Sequence, residues 1–482
     1  MTLTTELYEE LRRSILHGQL QPGTRLPSTR ALAEERGVSR NTVLNAYEQL
    51  LSEGYVEARV GSGTCVARAL PEELLTVGSP VRTGAGASPP LSRRGKLLSS
   101  HPGRPLSAPR RPRAFESGLP DAAAFPFRTW TRLMARQWRK PSYELLSYGD
   151  PAGYRPLREA IAAYVRTARA VRCDAEQVFI VSGSQQALDL TARLLIDPGD
   201  VALIENPGYP GARVALSAAG ASLVPLPVDA DGADITRRAG RAKNARLVFV
   251  TPSHQYPLGV TLSLRRRLAL IEWASQHGAW IVEDDYDSEF RYRKKPLPSL
   301  QGLDAAGRVI YLGTFSKTLF PSLRLGFVVL PPELVDPFRR ARTVVDGHSP
   351  VSEQAVLAEF IAGGHFARHI RRMRVLYEER QGVLVDAAKR ELDGLLDVRP
   401  LDGGMHLVGW LPEDADDLLV AERAAEGGVY VVPLSRCSVG KSARPGLLLG
   451  YAALTPPQIR EGVRRLAGAL RTCRAIVPLA TR

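Results

Sequence analysis

Cysteine is scarce in this chain, with four in 482 residues, at positions 65, 173, 437 and 473. They are too dispersed to form a CxxC pair, and no Cys/His cluster has metal-ligand spacing. Neither a disulfide framework nor a zinc site is supported. Long apolar runs are missing as well. No stretch approaches the roughly 20 residues that a membrane-spanning helix needs, and Met1–Arg13 mixes Glu and Arg with Leu instead of presenting a signal-peptide core. The expectation is a cytoplasmic protein with no bound metal and no membrane partner. Negative charge is in deficit: Asp and Glu number 50 against 64 Lys and Arg, a net +14. Such a balance favours a polyanion such as DNA, from which cationic side chains displace counterions.

What is present is otherwise ordinary for a globular protein, at 44% hydrophobic and 24% charged residues. The length suits about three domain-sized units, and composition divides the chain into three stretches. Residues 1–66 are compact and periodic. Residues 67–113 are rich in Pro, Gly, Ser and Arg, without periodicity, and read as a flexible basic linker that includes Arg82, Arg93, Arg94, Lys96, Arg104, Arg110, Arg111 and Arg113. Residues 114–482 alternate short apolar runs with helical patterns. Val178–Val181, Val201–Ile204, Leu247–Val250, Trp280–Val282 and Val309–Leu312 read as buried strands, with a helix over 265–276. Such alternation predicts an α/β domain whose mainly parallel sheet is covered on both faces.

In the first stretch, Leu7, Leu11 and Ile15 recur at helical spacing. Ser28 can cap a second helix through Leu32 and Ala33, and Gly37 permits a tight turn. Ser39 can cap a third helix with apolar positions Val43, Tyr47, Leu50 and Leu51. The alternating segments Tyr55–Val60 and Thr64–Val66 flank Gly61-Ser62-Gly63 and predict a β-hairpin. This is a winged helix-turn-helix pattern. Its third helix leaves Arg40, Asn41 and Thr42 in the first turn, where a recognition helix meets base edges. Arg suits guanine and Asn suits adenine, while hydroxyls and helix N-termini suit phosphate. Double-stranded operator DNA is the expected partner.

The third stretch meets four chemical demands of a pyridoxal phosphate site: an amine, a carboxylate for the pyridine nitrogen, a donor for the ring hydroxyl and a cradle for the phosphate. Lys317 follows the strand Val309–Leu312 on a turn with Thr314 and Ser316. Asp284 follows Trp280–Val282 and can pair with the pyridinium. Tyr286 lies two residues on, on the same side of an extended segment, within reach of the ring oxygen. Gly183, Ser184 and Gln185 follow Val178–Val181 and open a helix whose free N–H groups can hold phosphate. Ser316 and Arg324 can add a hydroxyl and a charge there. A lone Ser-Lys pair is commonly a surface feature. Four demands met in chain order at strand ends make the stronger case, because α/β sheets bind ligands at the carboxyl ends of their strands.

The run Leu26-Pro27-Ser28-Thr29-Arg30, with Gly37-Val38-Ser39-Arg40-Asn41-Thr42-Val43 and Gly54-Tyr55, resembles the winged helix of the GntR family. That resemblance implies DNA contacts from Arg30, Ser39, Arg40, Thr42 and Gly61. Residues 114–482 resemble the fold-type I aminotransferase domain. Glu205–Tyr209, Thr251–Gly259, Glu283–Phe290 and Gly313–Lys317 are similar to the MocR/GabR group of GntR regulators. The likeness implies that Tyr209 stacks on the cofactor ring, that Asp284 meets the pyridine nitrogen and Tyr286 the ring hydroxyl, and that Lys317 binds the cofactor covalently. It also implies a homodimer, in which Tyr148 reaches the partner's phosphate site.

Two departures separate the chain from catalytic aminotransferases. Tyr256 stands where those enzymes place Asn, and Leu448 stands near their substrate-carboxylate arginine. Arg436 resembles the ligand-carboxylate arginine of GABA-sensing regulators, whereas Gly211 replaces a second ligand arginine. The expected function is a pyridoxal phosphate-dependent transcriptional regulator that senses a small amine, an amino acid or the cofactor itself, with weak or no physiological transamination. The alternative is a working aminotransferase with an autoregulatory DNA-binding module.

Overall fold

A computed structural model describes residues 2–59, 63–71, 91–100, 112–238, 244–292, 297–440 and 444–476. The chain divides into two compact units, Met1–Pro90 and Leu91–Arg482.

Among its described residues the first unit has the helices α1 (Leu3–Leu16), α2 (Thr29–Arg36) and α3 (Arg40–Ser52), and a hairpin of β1 (Val56–Arg59) and β2 (Gly63–Val66). Local chemistry sets the boundaries. Ser28 accepts from the Ala31 amide and Ser39 from the Thr42 amide, so each caps the helix that follows. Gly37 ends α2 in the left-handed region at φ 65°, where a side chain would be strained. Leu7, Leu11, Ile15, Val43, Tyr47 and Leu50 are buried together, each aliphatic side chain contributing about 1.5–3 kcal/mol by leaving water. Leu51 departs from the sequence reading and is 44% exposed. It lies one position past Leu50, on the outer side of the stripe. The hairpin pairs Val56 with Val66 and Arg59 with Gly63. Its outer strand is held by the preceding segment, through Leu26 N–H to Thr64 O and Val66 N–H to Thr24 O, both 2.9 Å.

Within the stretch read as a coil linker, Arg93–Ser100 is helical. Ser92 opens it by accepting from the Gly95 and Lys96 amides, a local cap that composition alone conceals. Residues 72–90 and 101–111, which include Arg82, Arg104, Arg110 and Arg111, lie outside the described residues.

The second unit is built on an eight-stranded sheet. Its strands in chain order are β3 (Val178–Val181), β4 (Val201–Asn206), β5 (Ser222–Asp229), β6 (Gly232–Ala233), β7 (Ala245–Val250), β8 (Trp280–Asp285), β9 (Val309–Thr314) and β10 (Gly326–Val329). The spatial order is β3-β10-β9-β8-β7-β4-β5-β6. The five expected strands are all present and the central pairs are parallel. Sequence reading missed β5, β6 and β10. Alternate residues serve the two faces. Leu247, Phe249 and Val282 join one core with the helices Ser184–Leu195 and Pro210–Ala219, while Val248, Val250 and Ile281 join another with the helix Leu264–His277. The helix over 265–276 is thus observed, one residue longer at each end.

A smaller antiparallel sheet follows, of β11 (Asp397–Val398), β12 (His406–Trp410), β13 (Val432–Pro433) and β14 (Gly446–Gly450), ordered β11-β12-β14-β13. It packs with the helices His365–Glu391 and Pro456–Ile476. Strand direction gathers the site. β4, β7, β8 and β9 all end at one edge, and β10 is antiparallel to both β9 and β3, so β3 ends there too while β10 begins there.

Candidate DNA interface and cofactor site

On the first unit, Ser39, Arg40 and Asn41 are exposed at the start of α3, and Arg30 is exposed on α2. Thr42 is half-buried and its hydroxyl lies 2.8 Å from that of Ser39. Arg40 Nε reaches Thr29 Oγ1 at 3.4 Å, a contact that holds the guanidinium over the α2–α3 junction. The structure therefore presents Arg30, Ser39, Arg40 and Asn41 to solvent on adjacent helix starts. Gly61 lies outside the described residues.

In the second unit, β8 extends through Asp285, so Asp284 lies within the strand, not after it. Alternation then separates the acids. Glu283 accepts from the Leu300 and Gln301 amides at 2.9 and 3.0 Å. Asp285 takes Arg169 Nε and the Tyr311 hydroxyl, both at 2.6 Å. Burial pushes Asp285 up, but Arg169 and Tyr311 outweigh it and hold the carboxyl below the usual carboxylate range. Asp284 points the other way. It is 4% exposed and its Oδ1 has no protein partner. Burial, then repulsion from Asp285, pushes it up to about 7 against the pull of Lys317.

Lys317 Nζ donates to Gly118 O at 2.8 Å. Gly118 sits at φ +76°, where a side chain is strained, and a Cβ there would lie 2.7 Å from that nitrogen and push the end of the lysine aside. Sequence reading missed Gly118, for it lies in a chain segment far from the strand-end motifs. Tyr209 is half-buried, its ring 5.7 Å from that of Tyr256 in a T-shaped contact. Burial, and next the Asp284 charge, pushes its hydroxyl up to about 12. The helix Ser184–Leu195 opens at Gly183 (φ 99°) with no side-chain cap. Arg324 stands over that glycine, with guanidinium nitrogens 3.4 Å from where a Cβ would be, and donates to Ser182 O at 2.6 Å. Ser316 is half-buried beside Lys317, its amide bonded to Thr314 Oγ1 at 3.2 Å. The Gln185 side chain is already engaged, with Nε2 donating to Gly211 O at 3.1 Å.

These residues fit pyridoxal phosphate. The unpartnered buried carboxylate of Asp284 calls for a cation, which a pyridinium N–H provides. The uncapped helix start beside Arg324 is an anion cradle. Tyr209, Asp284, Tyr286 and Lys317 would hold the ring, and Gly183, Ser184, Gln185, Ser316 and Arg324 the phosphate. Bound there, the cofactor supplies an aldehyde carbon for a primary amine and an electron-withdrawing ring.

Both departures have a physical setting. Leu448 is fully buried in a cluster with Val408 and Leu434, against which Tyr256 packs. The Tyr256 ring meets those of Tyr209 and Tyr286 at 5.7 and 6.2 Å, and burial, and next the Cys437 thiol, pushes its hydroxyl well above the usual value. A Cβ on Gly211 would lie 2.5 Å from Gln185 Oε1 and 2.6 Å from the Tyr209 ring, which leaves no space for arginine. Arg436 is exposed on the turn Leu434–Cys437. That turn meets the Tyr209 segment through Gly208 N–H to Cys437 O at 2.8 Å, and Arg213 donates to the Arg436 carbonyl at 3.3 Å. Tyr148 is 95% exposed within the single chain. Among the described residues no helix is long and apolar enough to cross a membrane.

The second unit is thus a pyridoxal phosphate-binding domain of the fold-type I kind. A family model for class I and II aminotransferases matches residues 120–466, and the model for bacterial regulatory proteins of the gntR family matches residues 3–66. The chain is 48% identical to the probable rhizopine catabolism regulatory protein MocR of Rhizobium meliloti, covering 96% of this chain and 93% of that one. It is 32% identical to the pyridoxine biosynthesis transcriptional regulator PdxR of Corynebacterium glutamicum, over 97% and 96% of the two chains. Among solved structures, the α-aminoadipate aminotransferase LysN of Thermus thermophilus, complexed with N-(5'-phosphopyridoxyl)-L-leucine, aligns at TM-score 0.70 and 33% identity over 75% of this chain and 93% of that one. The chain belongs to the MocR-type group of GntR-family regulators: a pyridoxal phosphate-dependent, DNA-binding transcriptional regulator.

Proposed function

We propose that this regulator reads the presence of a primary amine bearing a carboxylate, captured at the cofactor held by Lys317, and reports it as a change in operator affinity. The observation that supports it most is the pairing of an intact cofactor constellation with a lost substrate clamp. Asp284 is buried, unpartnered and within the field of Lys317, while the position of the clamp is filled by the fully buried Leu448. Such a site can capture an amine without orienting it for efficient turnover. Arg436, on the turn that packs against the Tyr209 segment, is the arginine we assign to the ligand carboxylate. The most similar of the relatives named above is called a regulator of catabolism, which favours an amine effector; the other, named for pyridoxine biosynthesis, favours cofactor sensing.

The regulator acts as a homodimer in this reading. Trp138, Tyr143, Leu146 and Tyr148 are each at least half exposed on one stretch of the single chain, and a second copy would cover them. An amine held at the cofactor would leave the Lys317 side chain free as an ammonium, a local change of the kind that biases a two-state assembly. The test is a titration of amines against the cofactor-loaded protein, following visible absorbance and operator affinity together. Amines that change the spectrum and the DNA affinity in step support sensing. Complete turnover to the keto acid at physiological rates would make the protein an aminotransferase with a DNA-binding module. A change in DNA affinity on adding cofactor alone, and with no amine, would make the cofactor the effector.

A further inference from the structure

Within the segment Thr251–Gly259, His254 has no direct role in the cofactor site. It is buried, at 7% exposed. Its Nδ1 lies 3.0 Å from the Tyr286 hydroxyl and 3.0 Å from Asp287 Oδ2. Its ring is fixed by close packing, since a Cβ on Gly404 or Gly259 would fall 2.5 or 2.8 Å from Nε2. One nitrogen thus faces both a carboxylate, which can only accept, and a phenol, which can do either.

We propose that Asp287 and His254 are positioning residues that fix the direction of the Tyr286 hydroxyl proton, so that Tyr286 donates to the cofactor's ring oxygen. Hydrogen-bond polarity dictates this direction, on the reading that Tyr286 faces the ring hydroxyl. A bare Nδ1 lone pair would oppose the Asp287 carboxylate, so Nδ1 carries the proton. Tyr286 can then only accept from His254, and its own O–H is free to donate elsewhere. Burial, and next the Asp287 charge, holds the Tyr286 hydroxyl well above its ordinary value of 10, which keeps that proton in place.

The far side of the ring completes the case. In the neutral ring a proton on Nδ1 leaves Nε2 as a hydrogen-bond acceptor. It lines a cavity with about 20 Å³ of room for water centres, bounded also by Asp287, Ser288 and Arg291. His254 Nε2, Asp287 Oδ1, Ser288 Oγ and Arg291 Nε are all buried and all without a protein partner. Two of these are acceptors and two can donate. One or two waters fit a volume of this size and would join the donors to Nε2. Other charged or titratable groups facing this cluster are His406, with its ring 5.1 Å from that of His254, Asp402 and Arg169 beside Arg291, Tyr292 and Tyr451 in the field of Asp287, Tyr256, Glu205 and Asp284 in that of Tyr286, and Lys317, which acts on His406.

The test follows the visible band of the cofactor-loaded, full-length protein as pH is varied. A hydrogen bond donated to the ring oxygen stabilises its anionic form, so losing the donor raises the titration midpoint. Tyr286→Phe should raise it by about one pH unit. His254→Leu and Asp287→Asn, neither expected to meet the cofactor, should raise it in the same direction by less. His254→Asn, which returns an N–H near the Nδ1 position, should restore the wild-type midpoint. If Tyr286→Phe shifts the midpoint while His254→Leu and Asp287→Asn leave it in place, the positioning role is overturned and the reading of Tyr286 stands. If Tyr286→Phe itself changes nothing, the reading of Tyr286 has failed and the relay falls with it. Should His254→Leu not fold, Asp287→Asn, equal in size to the native residue, decides the matter.

Discussion

Arg169 and Asp285 meet at 2.6 Å in the interior of the second unit, both side chains almost fully buried. This pair settles which acid of Glu283-Asp284-Asp285 is left for chemistry. With Asp285 paired to Arg169 and Glu283 held by two backbone amides, Asp284 is the acid left without a hydrogen-bonding cation or amide, its buried Oδ1 meeting no protein donor. Its pKa stands at about 7 in the cofactor-free fold against 3.8 for the ordinary group. Below pH 3.8 both folded and unfolded chains hold the proton. Between these values only the unfolded chain releases it, so stability falls as pH rises, and above about 7 the penalty is complete at no more than about 4 kcal/mol. Asp284→Asn should therefore raise the melting temperature of cofactor-free protein at pH 8 and change little near pH 4. The same substitution should weaken retention of the cofactor, whose pyridinium loses its counter-charge. A cofactor-free variant less stable than wild type at pH 8 would contradict this account.

Lys317→Ala should abolish the visible absorbance of purified protein, because Lys317 is the amine assigned to the covalent link. Its ammonium donates to the carbonyl of Gly118, a residue at φ +76° that favours glycine. Gly118→Ala should thus weaken cofactor loading by crowding the Lys317 amine and straining the backbone at φ +76°. Retention of the visible band by Lys317→Ala would place the link at another lysine.

Much of this site was legible because its residues sit at strand ends. The apolar runs before Gly183, Asp284 and Lys317 are continuous and short, as fully buried parallel strands require, and each is a strand in the structure. β5 escaped notice because Pro225 and Pro227 interrupt it, and β10 because four residues between a turn and a helix give no periodicity. Arg169 and Gly118 were invisible for a different reason. They reach the site through tertiary packing, from a helix end and from an irregular segment, and no local spacing marks them. The helix Arg93–Ser100 was hidden by composition that suits coil equally well.

For DNA recognition, Arg40→Ala should weaken specific operator binding by about 1–3 kcal/mol if the side chain makes a bidentate guanine contact. Arg40 is exposed at the first turn of α3, beyond the Ser39 cap, where base contacts are made. A change in Arg94, exposed on its own short helix, should alter chiefly the salt dependence, if it alters binding at all. Binding measured on operator and on random duplex across a salt series separates the two. Equal losses on both duplexes for Arg40→Ala would make it a phosphate contact.

Arg436→Ala should abolish the response to amines that carry a carboxylate and spare the response to simple amines. A charge-assisted fork is the usual means of holding a carboxylate, and the alternatives near the cofactor are closed. Leu448 is buried and apolar. Gly211 has no room for a longer side chain. Arg324 stands over Gly183 at the anion cradle, and Arg213 is turned to the Ser438 and Arg436 carbonyls at 2.9 and 3.3 Å. Arg213 thereby fixes the turn on which Arg436 stands, so Arg213→Ala should weaken the same responses while leaving the cofactor spectrum in place. The check is a titration of paired ligands, each amino acid against its decarboxylated amine, reading absorbance and operator affinity in wild type and both variants. If Arg436→Ala answers every carboxylate ligand as wild type does, Arg436 is a surface arginine and the carboxylate is held elsewhere.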